Sequence, residues 1–217
     1  MTFLYKELDF LPQIPQHIVD RAIAKLEEED KKPEVAYKSE ELNNGVWFRP
    51  LDVNGDGKTV KSRSNILFPF DDAEFEQWFR ENISTNFKTI LLGISYPGED
   101  ASITTPPHTD LHRAYNMLYL ISTSSPEQTT CFWQEDGYDA IRPLATFKSD
   151  FKNLNKIGEV KFKRNTWNAL STCVLHSVHN VTGKLHGRLA IHVSLYEDPT
   201  HRPDFFDSYL KKQGATK

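Results

Sequence analysis

From about residue 88 to residue 196 the sequence reads as short apolar or alternating runs: KTILLGISY, YNMLYLI, TTCFW, EVKFK, NALSTCVL and RLAIHVSLY. Alternation with a period of two puts successive side chains on opposite faces of a strand. Between the runs stand PGED, SSPEQ, EDGYD, KRN and VTGKLHG, which turn the chain through Gly or Pro geometry or through Asn and Asp side-chain bonds. A β-rich body follows, and the rest of the chain has to be arranged around it.

Two helices are signalled ahead of that body. In residues 15–31, PQHIVDRAIAKLEEEDK, the residues Ile18, Val19, Ala22, Ile23 and Leu26 fall at helical spacing behind a charged outer face. Residues 71–83 offer Asp71 and Asp72 as caps, Glu74 three after Asp71, and a stripe of Phe75, Trp78, Phe79 and Ile83. The segment DVNGDGKTV at 52–60 copies the opening of a calcium-binding loop, but Arg63 stands where that loop needs its bidentate Glu. It reads instead as a hairpin turning at Asn54-Gly55 or Asp56-Gly57. The tail PTHRPDFFDSYLKKQ reads as a last short helix. One domain over 1–217 is the expectation, with a helical part at about 1–87 and a β core at about 88–196.

Composition narrows the function. A hydrophobic share of 38 % with 14 Phe and 4 Trp is ample for a core. A net charge of −4, with no Lys/Arg run interleaved with aromatics, gives no attraction to phosphate backbones, so no nucleic-acid partner is indicated. The opening MTFLYKELDFLPQ has no signal-peptide character, and no stretch approaches the roughly 18 apolar residues of a membrane span. A cytoplasmic protein without membrane contact is expected. Cys131 and Cys173 lie in no metal or redox spacing and read as buried thiols.

The chemistry sits in PPHTDLHRAYN, residues 106–116. In a strand, His108 and Asp110 share a face and can converge on one point. Two imidazoles and one carboxylate, with further positions left open, suit ferrous iron. The second histidine has to come from LHSVHNVTGKLHGRLAIHVSL, where His176 and His179 precede Arg188 by twelve and nine residues. Arg188 can hold a remote carboxylate in a planar two-bond fork while the other end of that molecule reaches the metal.

These residues resemble the 2-oxoglutarate- and Fe(II)-dependent oxygenases, whose signature is HxD, a distant His, then an Arg about ten residues on. The likeness runs over roughly residues 88–196 and is strongest to small members with a terse double-stranded β-helix, or jelly-roll, core of cupin-like type and helices packed on one side. It implies His108, Asp110 and His176 as iron ligands, Arg188 as the anchor of 2-oxoglutarate, and O2 as oxidant. His176 is preferred because TCVLHSV matches the family's run into the metal histidine, whereas His179 has the more usual spacing to Arg188. Ala190 stands where the family usually has Ser or Thr, so a second hydrogen bond to the cosubstrate has to come from elsewhere.

Strand parity places Asn116 and Leu118 on the face of His108 and Asp110, where Asn116 could bond 2-oxoglutarate. Arg188, Ala190, His192 and Ser194 share a face of the last strand, which puts His192 near the barrel's centre. Tyr96 and Arg113 lie where such enzymes commonly receive the prime substrate. His112 and His186 read as loop or outward residues. Hydroxylation of a small polar metabolite, an amino acid or a peptide side chain is the implied reaction, and Asp110 argues against halogenation by occupying the halide's position. The rival readings are a zinc-dependent or cupin-like enzyme on the same three ligands and a non-catalytic jelly-roll binding module. Oligomeric state is not legible.

Overall fold

The computed structural model describes residues 4–31, 52–53, 59–60, 63–85, 87–96, 102–103, 105, 107–110, 115–123, 125–141, 151–182 and 187–195. In chain order the elements are β1 (Tyr5–Leu8), α1 (Gln16–Lys31), β2 (Asp52–Val53), β3 (Thr59–Val60), β4 (Arg63–Pro69), α2 (Ala73–Asn82), β5 (Phe87–Tyr96) and β6 (Ser102–Ile103). They continue with β7 (Tyr115–Thr123), β8 (Thr129–Glu135), β9 (Leu154–Val160), β10 (Trp167–Ser171), β11 (Leu175–His179), β12 (Val181–Thr182) and β13 (Arg188–Leu195).

Antiparallel pairing builds a larger sheet in the order β1-β10-β7-β13-β5-β4 and a smaller one in the order β11-β8-β9. Further backbone pairing flanks β11. It begins where β6 pairs with β12 and runs on as Thr105 N–H donates to Val178 O, His108 and His176 exchange backbone hydrogen bonds, and Asp110 N–H donates to Thr172 O. From β5 onward the chain alternates between two sides: β5 in the larger sheet, then β6 and His108, bonded to β12 and β11, then β7 in the larger, β8 and β9 in the smaller, β10 in the larger, β11 in the smaller followed by β12 in its own pairing with β6, and β13 in the larger. This is a double-stranded β-helix, the jelly-roll architecture of cupin-like folds.

Parity sorts the core into two layers. Leu118 and Leu120 of β7, Leu170 of β10 and Ala190 of β13 pack across the inter-sheet space on Phe132 and Val174 of the smaller sheet. The intervening Met117, Tyr119, Leu189, Ile191 and Val193 face the other way, onto Ile18, Val19, Ala22 and Leu26 of α1 and Phe75 and Phe79 of α2. Helices thus cover one side of the larger sheet, and its central strands are buried on both faces, which is why they read as continuous apolar runs. No helix among the described residues is long and apolar enough to cross a membrane.

Several local readings change. NALSTCVL is two strands: β10 ends at Ser171 in the larger sheet, and after a turn at Thr172-Cys173 the chain enters the smaller sheet at β11. EVKFK is not a strand as a unit, because β9 spans Leu154–Val160 and its last residue pairs with Thr130, near the start of β8, and residues 161–163 pair with no strand among the described residues. The cap of α2 is Asp72, whose side chain accepts from Phe75 N–H, while Glu74 turns to Arg21 and His17 of α1 instead of closing a box with Asp71. β2 and β3 pair as a hairpin; its turn residues 54–58 and the tail from 196 onward lie outside the described residues. Cys131 and Cys173 are buried free thiols.

Candidate active site

Because an antiparallel bridge sets His108 directly opposite His176 of β11, those two side chains share a face. Asp110, two residues on, joins them. His108 Nε2 lies 3.8 Å and His176 Nε2 4.0 Å from Asp110 Oδ1, and the three ligand atoms lie within 4.8 Å of one another. Phe132 stands opposite His176 on β8 and belongs to the inter-sheet core, so the cluster points into the space between the sheets. His176 is buried and its Nδ1 lies 2.9 Å from Val174 O. A carbonyl only accepts, so Nδ1 carries the hydrogen and Nε2 is the edge turned to Asp110, outside the Nδ1 bond and able to ligate once unprotonated.

Odd parity sends His179 to the opposite face of the same strand. Trp133 Nε1–H donates to Ser177 Oγ at 2.7 Å, and Ser177 Oγ lies 2.7 Å from His179 Nε2. An indole N–H cannot accept, so the serine hydroxyl donates onward to Nε2. The ring packs beside Trp133 and Phe151, and burial pushes its pKa down. The structure therefore brings His176, and not His179, to His108 and Asp110.

Arg188 opens β13 on the larger sheet, on the inward face it shares with Ala190. It is buried, its Nε has no hydrogen-bond partner, and burial lowers its pKa to about 10, which still leaves it a cation at neutral pH. A desolvated guanidinium with an unsatisfied N–H costs stability unless an anion meets it.

Asn116 is buried on β7, 2.7 Å from His192 Nδ1. With its oxygen accepting from Nδ1–H, its amide nitrogen donates to Val193 O and Met117 O at 3.3 Å; the reverse orientation would set oxygen against those two carbonyls. Its amide hydrogens are thus directed at backbone. His192 leans over Gly93, where a Cβ would stand 2.4 Å from its Nε2. Gly93 was not singled out from the sequence, although a glycine inside the apolar run KTILLGISY is the usual mark of such a close approach. Tyr96 ends β5 opposite Arg63; Arg113, His112 and His186 lie outside the described residues.

Fold and cluster together define a jelly-roll protein with an inward-facing His/Asp/His ligand set and a buried cation on the facing sheet. Solved structures similar to the chain include E. coli ycfD, at 12 % identity over 97 % of this chain and 54 % of that one with a TM-score of 0.43. The non-heme alpha-ketoglutarate-dependent epimerase SnoN of nogalamycin biosynthesis is 12 % identical over 87 % of this chain and 76 % of its own, TM-score 0.44. A Pseudomonas putida prolyl-4-hydroxylase is 12 % identical over 89 % and 92 %, TM-score 0.43. The chain spans about half the length of the first of these, and likenesses this distant carry no functional conclusion. No protein-family profile and no curated protein sequence matches the chain.

Proposed function

We propose that residues 1–217 form one catalytic domain, an Fe(II)- and 2-oxoglutarate-dependent dioxygenase that hydroxylates a small polar metabolite, an amino acid or a peptide side chain. One juxtaposition carries this reading: an inward His108/Asp110/His176 cluster on one sheet, and on the inward face of the other a buried Arg188 with an unpartnered Nε. The donor set fits a divalent metal. Ligands on one side of an ion, at bonds of about 2.0–2.2 Å, stand about 3 Å apart, so the separations of 3.8 and 4.0 Å to Asp110 have to close by about 1 Å on the ion. Two imidazoles and a single carboxylate on one side of the site leave its other side to small molecules, the arrangement suited to non-heme ferrous iron.

In this reading His108, Asp110 and His176 hold the metal, and the Val174 carbonyl fixes His176 as the tautomer that ligates through Nε2. Arg188 receives the distal carboxylate of 2-oxoglutarate, and that anion satisfies the guanidinium in its desolvated setting. Bound iron supplies the activation of O2 coupled to decarboxylation of the keto acid to succinate and CO2. Tyr96 and Arg113 are assigned to the prime substrate by the resemblance of the sequence alone. The inter-sheet apolar layer of Leu118, Leu120, Phe132 and Val174 excludes water beneath the site.

Arg188 also separates this reading from its rivals. A hydrolytic zinc centre has no use for a buried guanidinium on the facing sheet, and a binding module would take up metal and acid without turning either over. The test is anaerobic titration with Fe(II) and then 2-oxoglutarate, followed by exposure to O2. A weak visible charge-transfer band on adding the acid, and succinate on adding O2, are expected. Metal and acid bound with no succinate formed would select the binding module.

A further inference from the structure

We infer that His192 is the second half of the carboxylate receptor that Arg188 begins, an inference that rests on the reading of the site as one for a 2-oxo dicarboxylate. Along β13 every residue is buried except His192, although it lies on the same inward face as Arg188 and Ala190. An inward side chain with access to solvent, on a strand otherwise closed, lines an opening between the sheets; it is not part of the packed layer.

The ring's direction is set from both sides. Asn116 holds Nδ1, and the missing Cβ of Gly93 admits the other edge: a Cβ there would stand 2.4 Å from Nε2 and 2.7 Å from Cδ2. In the β13–β5 register His192 stands opposite Leu91, whereas Gly93 stands opposite Ala190. The imidazole therefore leans back along the strand towards Arg188, and the methyl group of Ala190 is all that stands between them on that face. Guanidinium and imidazole thus border one notch, with no large side chain of β13 dividing it.

The chemistry of that notch selects an anion. Asn116 fixes a hydrogen on Nδ1, so a carboxylate at Nε2 draws the ring to its protonated form, in which both nitrogens donate. The strands around it supply Asn116 and Leu118 from β7, Leu91 and Gly93 from β5 and Leu67 from β4, all uncharged; Arg188 is the cation of its own strand, and the smaller sheet opposite presents His108, Asp110 and His176. A dicarboxylate whose keto-acid end lies at the metal cluster meets Arg188 and His192 with its far end. A monocarboxylic keto acid makes the first contact only.

The experiment compares 2-oxoglutarate with 2-oxobutanoate on anaerobic, Fe(II)-loaded wild-type, His192→Leu and Gly93→Ala proteins, with dissociation constants read by calorimetry. Both variants should weaken 2-oxoglutarate by about tenfold or more, the scale of one charge-assisted hydrogen bond, and leave 2-oxobutanoate and the iron stoichiometry unchanged. Gly93→Ala keeps the imidazole and moves it, so its loss locates the effect in ring position. Calorimetry in buffers of different ionisation enthalpy should show proton uptake with 2-oxoglutarate in the wild type and less in His192→Leu. Equal loss for both acids, no loss for either, or loss of iron would overturn the assignment to His192. A wild type that binds iron but neither acid would overturn the reading of the site itself, and this inference with it.

Discussion

Single side chains decide most of the chemistry, and their directions follow from one parity rule. HTD was legible as half a chelate because residues two apart in a strand share a face. The pair His176 and His179 was not settled by spacing, since distance to Arg188 favours one and the preceding apolar run the other. Register resolves the geometry: His176 stands opposite His108, whereas His179 faces Ser177 and Trp133 on the far side of the sheet. His176→Ala should therefore abolish stoichiometric Fe(II) binding and succinate formation, while His179→Ala keeps both; metal analysis after desalting decides, and an empty His179 variant beside a loaded His176 variant would reverse the assignment. Arg188→Lys replaces a planar fork by a point charge, so 2-oxoglutarate affinity should fall by roughly 1.5–3 kcal/mol with Fe(II) affinity intact. Parallel loss of metal would mean that Arg188 supports the cluster instead.

At the scale of elements, helices were more legible than strands because a helix carries its own signal while a strand depends on its neighbours. The stripes of α1 and α2 fall on buried residues as the periodicity predicts. The burial of β9 follows no simple alternation, its residues Leu154–Val160 being exposed or half-buried at a sheet edge. The corner inside NALSTCVL was hidden for the opposite reason, since burial continues through the turn between sheets. β1 and β4, the two edges of the larger sheet, were not foreseen at all. The α1–α2 contact yields its own prediction. Asp72 caps α2 through Phe75 N–H and takes both Nε and Nη2 of Arg21 at 2.6 and 2.9 Å, and these bonds, the Arg21 pair first, hold its pKa below the ordinary aspartate value. A carboxylate depressed in the folded state contributes stability above its unfolded pKa, and that contribution is lost as the pH falls through the lower folded value. Asp72→Ala should cost about 1–2 kcal/mol, the scale of a lost N-cap, with little added by Arg21, whose side chain is 41 % exposed. Denaturant melts should show that difference at pH 7 and see it shrink below about pH 4, where a free aspartate begins to protonate; a gap that persists at low pH would assign the loss to packing.

The whole molecule joins two sheets across one apolar layer, and the proposed ligands divide between them: His108, Asp110 and His176 on the smaller, Arg188 and His192 on the larger. Metal alone ties His108 and Asp110 to His176 of β11, segments already bonded to each other. The keto acid alone has only Arg188 and His192 of β13 to hold it. Bound together they form one bridge from sheet to sheet, so opening the jelly roll requires releasing both. Anything that binds the native state and not the unfolded chain stabilises it by mass action, and two ligands that complete each other's coordination are coupled reciprocally. Under anaerobic conditions the rise in melting temperature with Fe(II) and 2-oxoglutarate together should therefore exceed the sum of the rises with each alone. The excess should shrink in Arg188→Lys, which weakens the bridge at the larger sheet and leaves the three metal ligands in place. A merely additive shift in the wild type would mean that metal and acid occupy the fold independently, and the arrangement of the two sheets around one shared site would then have no bearing on its stability.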